Sequence, residues 1–302
     1  MKKVADRCAV LNKGKLVDVL DVKTTSVRHL SRLMVGREVN LEMEKTPVNL
    51  RDEVLRVENL RVKNKDGIEV VKGVSFSIHG GEIFAIAGVA DNGQVEIADA
   101  IAGLTKVSGG KIFLNGKEIT DSSIRERTEE GISYIPEDRQ TFGLVLDFDL
   151  ATNLSLKQYY REPFSHKGIL NHEIFTSFGE QLIGKYDIRS GQGTATQVRS
   201  MSGGNQQKAI IAREIELQSE LMIFVQPTRG VDIGAIENIH RMIIEERDKG
   251  KAILLVSLEL DEIMNIADTI AVIYNGELQK IASRESLTKN EVGEYMMGAK
   301  HG

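Results

Sequence analysis

Ile83-Phe84-Ala85-Ile86-Ala87-Gly88-Val89-Ala90-Asp91-Asn92-Gly93-Gln94-Val95 is five apolar residues in a row that stop at an octet with glycines at positions 88 and 93. An unbroken apolar run, as opposed to an alternating one, describes a strand buried on both faces. Gly88 ends that strand, and the pattern after it predicts a helix over 93–102. Working outward, further buried strands are expected at 221–225, 252–256 and 269–274, separated by helices over 205–218, 234–249 and 259–267. Strands alternating with helices give an α/β fold with a mainly parallel sheet covered on both faces. Upstream, 54–57 and 70–78 alternate apolar and polar residues, as half-buried strands of an antiparallel β subdomain do. Residues 138–200 interrupt the rhythm, and 150–199 are polar and read as a mostly helical subdomain.

The two ends of the chain resemble each other. Ala5-Asp6-Arg7-Cys8-Ala9-Val10-Leu11 aligns with Ala267-Asp268-Thr269-Ile270-Ala271-Val272-Ile273, and without a gap Gly14 then falls on Gly276, Leu16 on Leu278, Met34 on Met296 and Gly36 on Gly298. Each copy reads as strand, glycine turn, strand and helix. Chance similarity of two such segments is the alternative, but the ungapped register speaks for a repeat. The expectation is that residues 1–37 are the tail of a preceding unit, 38–52 a charged linker containing Pro47, and 53–302 a second unit.

Composition limits the function classes. With 41% hydrophobic and 27% charged residues the chain can bury a sizeable core, and its net charge of −5 offers no basic field for nucleic acid. Its one cysteine, Cys8, excludes an internal disulfide and suits, weakly, a reducing cytoplasm. Neither a signal peptide nor an apolar run of about 18 residues occurs, so membrane contact is expected only through a protein partner. The six histidines show no ligand spacing, and the acidic runs near Glu42 and Glu245 read as solvated faces.

The octet from Gly88 to Val95 has the glycine spacing of a phosphate-binding loop at a strand-to-helix junction. In such loops backbone N–H groups hold phosphate, a lysine neutralises it and a hydroxyl ligates magnesium. Here Gln94 stands at the lysine position and Val95 at the hydroxyl position, while Asp91 adds a negative charge. Two like charges 4 Å apart repel by roughly 4 kcal/mol at an effective dielectric of 20. The loop alone fits equally a tight turn that never meets a nucleotide.

Arg199-Ser200-Met201-Ser202-Gly203-Gly204-Asn205-Gln206-Gln207-Lys208 settles the choice. It resembles the signature of ABC ATPases, in the form carried by importers of simple sugars and nucleosides, and Ser202 sits where a helix N-cap belongs. The resemblance implies a P-loop ABC ATPase core with a helical subdomain. It places Val225 and Gln226 at the metal-linked and catalytic carboxylates, Gly230 and Asp232 in the D-loop, Leu258 at the switch histidine and Glu137 at the Q-loop glutamine. No aromatic upstream is placed to stack on adenine. By resemblance Gly88, Asp91, Asn92, Gly93 and Gln94 line a degenerate nucleotide loop without metal ligands, whereas Ser202, Gly203, Gly204, Asn205 and Gln206 serve ATP held by another unit.

In this family two units pair head to tail. The expected function is therefore the second, non-hydrolytic half of an importer ATPase, supplying its signature to an ATP whose magnesium is ligated by the first half of the same polypeptide. A non-hydrolytic scaffold of the same fold is the alternative. Permease subunits, and through them a substrate-binding protein, are the implied partners at the cytoplasmic face of the membrane. The apolar run Phe142, Leu144, Val145, Leu146 and Phe148 reads either as the groove for a permease helix or as the subdomain's own core.

Overall fold

The computed structural model describes residues 4–12, 14–35, 43 and 45–300. Gly36, residues 38–42 of the expected linker, Glu44 and His301 lie outside the described residues.

The chain opens with a hairpin, β1 (Arg7–Asn12) and β2 (Lys15–Asp21), followed by α1 (Val27–Val35). Residues 45–52 carry no regular structure yet are held at several points. The Lys45 ammonium donates to the Ile266 and Ala267 carbonyls and to Asp268 (3.0, 2.7 and 2.8 Å). Buried Arg247 reaches the Thr46 carbonyl at 2.9 Å.

Next come β3 (Glu53–Lys63), β4 (Glu69–His79), β5 (Glu82–Ala87), α2 (Gln94–Ala102), β6 (Val107–Leu114), β7 (Lys117–Glu118), α3 (Ile124–Glu129) and β8 (Ile132–Ile135). A π-helical turn, Arg139–Gly143, leads to α4 (Leu150–Ser155), a small hairpin of β9 (Ser165–His166) and β10 (Ile169–Leu170), and α5 (His172–Lys185). The chain closes with α6 (Gly203–Ile215), β11 (Leu221–Val225), α7 (Ile233–Asp248), β12 (Ala252–Ser257), α8 (Leu260–Ile266), β13 (Thr269–Tyr274), β14 (Glu277–Ser283) and α9 (Lys289–Met296). The expected strand at 269–274 matches β13 residue for residue, and β3 runs beyond its expected end at 57. The stretch 150–199 departs from the mostly helical expectation: α4 and α5 are its only α-helices, and loops, 3-10 turns and the β9–β10 hairpin make up the rest.

Six strands form the main sheet in the order β14-β13-β5-β12-β11-β8, all parallel except edge strand β14. The order β4-β3-β6-β7 makes the separate antiparallel sheet. Every residue of β5 is buried, and alternation divides it between two cores. Ile83, Ala85 and Ala87 face a core shared with α6, α7 and α8, while Phe84 and Ile86 face α2 and the antiparallel sheet. The Phe84 and Phe76 rings stack at 5.1 Å across that second interface. At about 1.5–3 kcal/mol per fully buried large apolar side chain, β5 is held from both sides, and the loop after it inherits that rigidity.

The repeat read in the sequence is also a repeat in backbone. Arg7 pairs with Asp21, Val10 with Asp18 and Leu11 with Leu16; at the same constant offset Thr269 pairs with Ser283, Val272 with Lys280 and Ile273 with Leu278. A bulge falls at the same step in both hairpins, after Val10 and after Val272. The closing bond repeats too, Val22 N–H to the Asp6 carbonyl (2.9 Å) and Arg284 N–H to the Asp268 carbonyl (2.8 Å). One relation is not repeated. β13 has β5 along its other edge, whereas among the described residues β1 pairs with β2 alone.

Candidate nucleotide site

The ends of β5, β12 and β11 lie side by side, so Gly88, Leu258 and Gln226 emerge from adjacent strands, with Gln226 N–H bonded to the Val256 carbonyl at 2.7 Å. The loop after β5 is closed on itself. Gln94 is 1% exposed, its amide donates to the Val89 carbonyl at 2.9 Å, and its Oε1 has no partner among the described residues. Asn92 accepts from Asn275 N–H at 2.8 Å, tying the loop to the β13–β14 turn. Gly93 has φ 100°, and a Cβ there would stand 2.5 Å from the Val70 carbonyl, so no other residue fits without strain. Val95 packs against the second core, and Asp91 points to solvent with φ 65°.

At the end of the neighbouring strand β11, neither Val225 nor Gln226 carries a carboxylate. Val225 is fully buried, and Gln226 takes a left-handed φ of 48°. A magnesium–triphosphate group does not fit these residues: the loop offers no cation, the hydroxyl position is aliphatic, and the nearby amides cannot act as a base.

The helix end at Ser202 is built differently. Ser202 is the N-cap of α6 by position, but its hydroxyl makes no cap bond to the helix backbone, contrary to the expected role. It accepts from the Asn205 amide at 2.9 Å and keeps its own proton to donate. The two glycines answer to close packing. A Cβ on Gly203 would lie 2.7 Å from the Arg139 guanidinium, and one on Gly204 3.3 Å from Ala235. Asn205 and Gln206, expected to reach a ligand, have committed side chains: the Asn205 Oδ1 accepts from Arg189 N–H at 2.9 Å, and the Gln206 amide donates to the Val198 carbonyl at 3.0 Å. Asp232 caps α7 by accepting from Ala235 N–H at 3.0 Å. What faces outward is the N-terminal end of a 13-residue helix with one free hydroxyl, a site suited to an anion. It opens on a cleft of about 1050 Å³ that Ser202, Gly204 and Asp232 line together with Leu11 and Met34, and that none of residues 88–95 lines.

The family model described as ABC transporter matches residues 71–229. The chain belongs to the ABC transporter family. The cassette is 45% identical over 99% of its length to the nucleoside import ATP-binding protein NupA of Lactococcus lactis subsp. cremoris (strain MG1363), covering 59% of that protein. It is 46% identical over 98% of its length to the guanosine import ATP-binding protein NupO of Bacillus subtilis (strain 168), covering 58% of it. It is 37% identical over 97% to the ribose import ATP-binding protein RbsA of Clostridium tetani (strain Massachusetts / E88), covering 56%. The chain thus spans under three-fifths of the length of these relatives. Among solved structures, a nucleotide-free ATP-binding cassette superposes with a TM-score of 0.68 at 22% identity, covering 80% of this chain and 96% of that one. A cassette dimer in a post-hydrolysis state with ADP and phosphate gives 0.65 at 20% identity, covering 76% and 98%. Both show the cassette fold.

Within the cassette, Glu137 forms an ion pair with Arg229 in the segment before α7, a contact the sequence did not announce. Arg139, two residues further on, bonds the Arg229 and Gly230 carbonyls at 2.8 and 3.4 Å. The apolar run after them splits. Leu144 is buried and Leu146 packs on the first core, whereas Phe142, Val145 and Phe148 are exposed. His240 is buried, with its Nε2 2.8 Å from the Glu262 carboxylate. The acidic run near Glu245 is not wholly solvated either, since Glu246 is buried and takes a bond from Lys249 at 2.5 Å. No helix of the described residues is long and apolar enough to cross a membrane.

Proposed function

We propose that the cassette is the second nucleotide-binding half of an ABC importer ATPase that moves nucleosides, or else simple sugars. On this reading its own loop is non-hydrolytic, and its signature closes over ATP held by a preceding unit of the same polypeptide. The observation that carries the reading is the position of Leu11. Its counterpart Ile273 lies against Gly88, at the head of this cassette's own loop, where a Cβ on that glycine would come within 2.7 Å of the Ile273 side chain. By the repeat, Leu11 marks the place where a preceding unit would carry its phosphate loop. Leu11 lines the same cleft as Ser202 and Gly204. The open edge of β1 is where that unit's counterpart of β5 would pair, in parallel, as β5 pairs with β13.

The division of labour follows from the residues present. The α6 end supplies the Ser202 hydroxyl, backbone N–H groups and the positive end of the helix dipole to the outer phosphate of the bound ATP. Cation, metal ligands and base come from the preceding unit. Nucleosides are preferred because the two nucleoside-importing relatives are 45% and 46% identical and the ribose importer 37%. Exposed Phe142, Val145 and Phe148, next to the Q-loop position Glu137, support docking on a permease helix, and with it a peripheral location at the cytoplasmic face of the membrane.

The purified chain is expected to show magnesium-dependent ATP hydrolysis no higher than background. Robust turnover that disappears on changing Gln94 would refute the proposal.

A further inference from the structure

The turn after β8 reaches two separate places, the segment before α7 and helix α6. Glu137, before the turn, pairs with the Arg229 guanidinium. Arg139 returns the contact, donating NH1 to the Arg229 carbonyl at 2.8 Å and NH2 to the Gly230 carbonyl at 3.4 Å, and its guanidinium lies over Gly203, 2.7 Å from where a Cβ would stand. Gln140 donates to Gln206 of α6 at 3.4 Å, and Arg213 of α6 donates to the Gly143 carbonyl at 2.9 Å. The turn itself is stiff, because Asp138 accepts from Thr141 Oγ1 and from the N–H groups of Gln140 and Thr141 at 2.7, 2.9 and 3.0 Å.

We infer that Glu137 and Arg139 are positioning residues: together they clasp residues 229–232 against the start of α6, so that the signature end and the segment before α7 move as one body with the turn. Arg139 reaches two carbonyls of one bend (Gly230 has φ 66°, open to glycine) with two N–H groups of a planar fork, a geometry that lysine cannot reproduce. The side chain of Arg229 meets Glu137 while its main-chain carbonyl accepts from Arg139, so the bend is gripped by both its side chain and its main chain. Taken with the proposed function, the clasp sets where Ser202 and Asp232 stand relative to a facing nucleotide, and it joins them to the exposed apolar surface that follows the turn.

Amide hydrogen exchange on the intact chain, without nucleotide, tests the clasp. Removing bonds of this kind weakens local closure enough to speed opening about five- to thirty-fold. Arg139→Gln is expected to raise deuterium uptake in peptides spanning 226–236 by that factor while peptides of the β13–β14 hairpin and the urea midpoint stay as in the parent. Arg139→Lys is expected to fall between the two, and Glu137→Gln to give a smaller rise in the same peptides. Unchanged uptake in Arg139→Gln, a rise spread evenly to β13–β14, or full protection in Arg139→Lys overturns the inference. Because no nucleotide is involved, a chain that hydrolysed ATP alone would refute the shared-site proposal and leave the clasp standing.

Discussion

Arg247→Met tests how the segment before β3 is fastened to the cassette. Arg247 is 2% exposed and spends its guanidinium on the sheet's lower edge. Nε and NH2 donate to the two oxygens of Asp268 at 3.1 and 3.2 Å, NH2 also reaches the Thr46 carbonyl at 2.9 Å, and NH1 reaches Asp248 at 2.5 Å. Asp268 is 8% exposed and also accepts from Ile83 N–H at 2.9 Å, at the start of β5. Methionine keeps most of the volume but leaves the Asp268 carboxylate with Lys45 and one amide. Removing one partner of a buried pair typically costs about 3–5 kcal/mol. The surviving Lys45 contact, at 2.8 Å with a side chain 20% exposed, places the expected loss near the lower end, at about 3 kcal/mol. Urea unfolding at neutral pH reads the loss. Lys45→Met alone should cost about 1–2 kcal/mol, because Arg247 still covers the carboxylate. The double variant should lose more than the two singles added together, since only then is Asp268 buried without a cation. A single-variant loss for Arg247→Met under about 1 kcal/mol would show that the carboxylate does not depend on this arginine and would refute the reasoning.

Two further outcomes are expected. Ser202→Ala should change stability by less than about 0.5 kcal/mol, below the usual cost of losing a cap, because the hydroxyl makes no bond to the α6 backbone; a larger loss of urea stability would contradict the geometry. Asp99 lies half-buried beneath the Tyr134 hydroxyl, and desolvation holds its carboxyl above the ordinary range even though the Tyr134 bond pulls the other way. A folded pKa raised above the unfolded one means that the ionised form is penalised in the fold, so this group's share of stability is full below the unfolded pKa and declines as pH rises through the folded one. Asp99→Asn should therefore melt higher than the parent at pH 7, with the gain vanishing below about pH 4. A melting difference equal at both pH values would exclude the burial penalty.

How far the sequence could be read follows from what kind of information each feature needs. β5 was legible because a strand buried on both faces must be apolar throughout, and the loop after it because Gly93 sits where a side chain would strike the Val70 carbonyl. The N-terminal hairpin was legible because the same backbone, bulge included, recurs at the other end of the chain. The side-chain roles at the signature were less so. Asn205 and Gln206 are polar and sit beside glycines, which in sequence looks like an outward-facing anion site. Only their partners, Arg189 N–H and the Val198 carbonyl, show that they brace the loop from within. Those partners come from a segment with no periodicity. The same holds for Arg139: its targets are backbone carbonyls some ninety residues away, and a carbonyl leaves no mark in a sequence. Glu137 and Arg229 do carry opposite charges, but so do many pairs at that separation. The signature glycines, which a family resemblance explains by the approach of a phosphate, also lie in close packing within this chain: the Arg139 guanidinium stands over Gly203, and Ala235 crowds Gly204. Close packing within the chain is thus a reason of its own for small residues at this helix end.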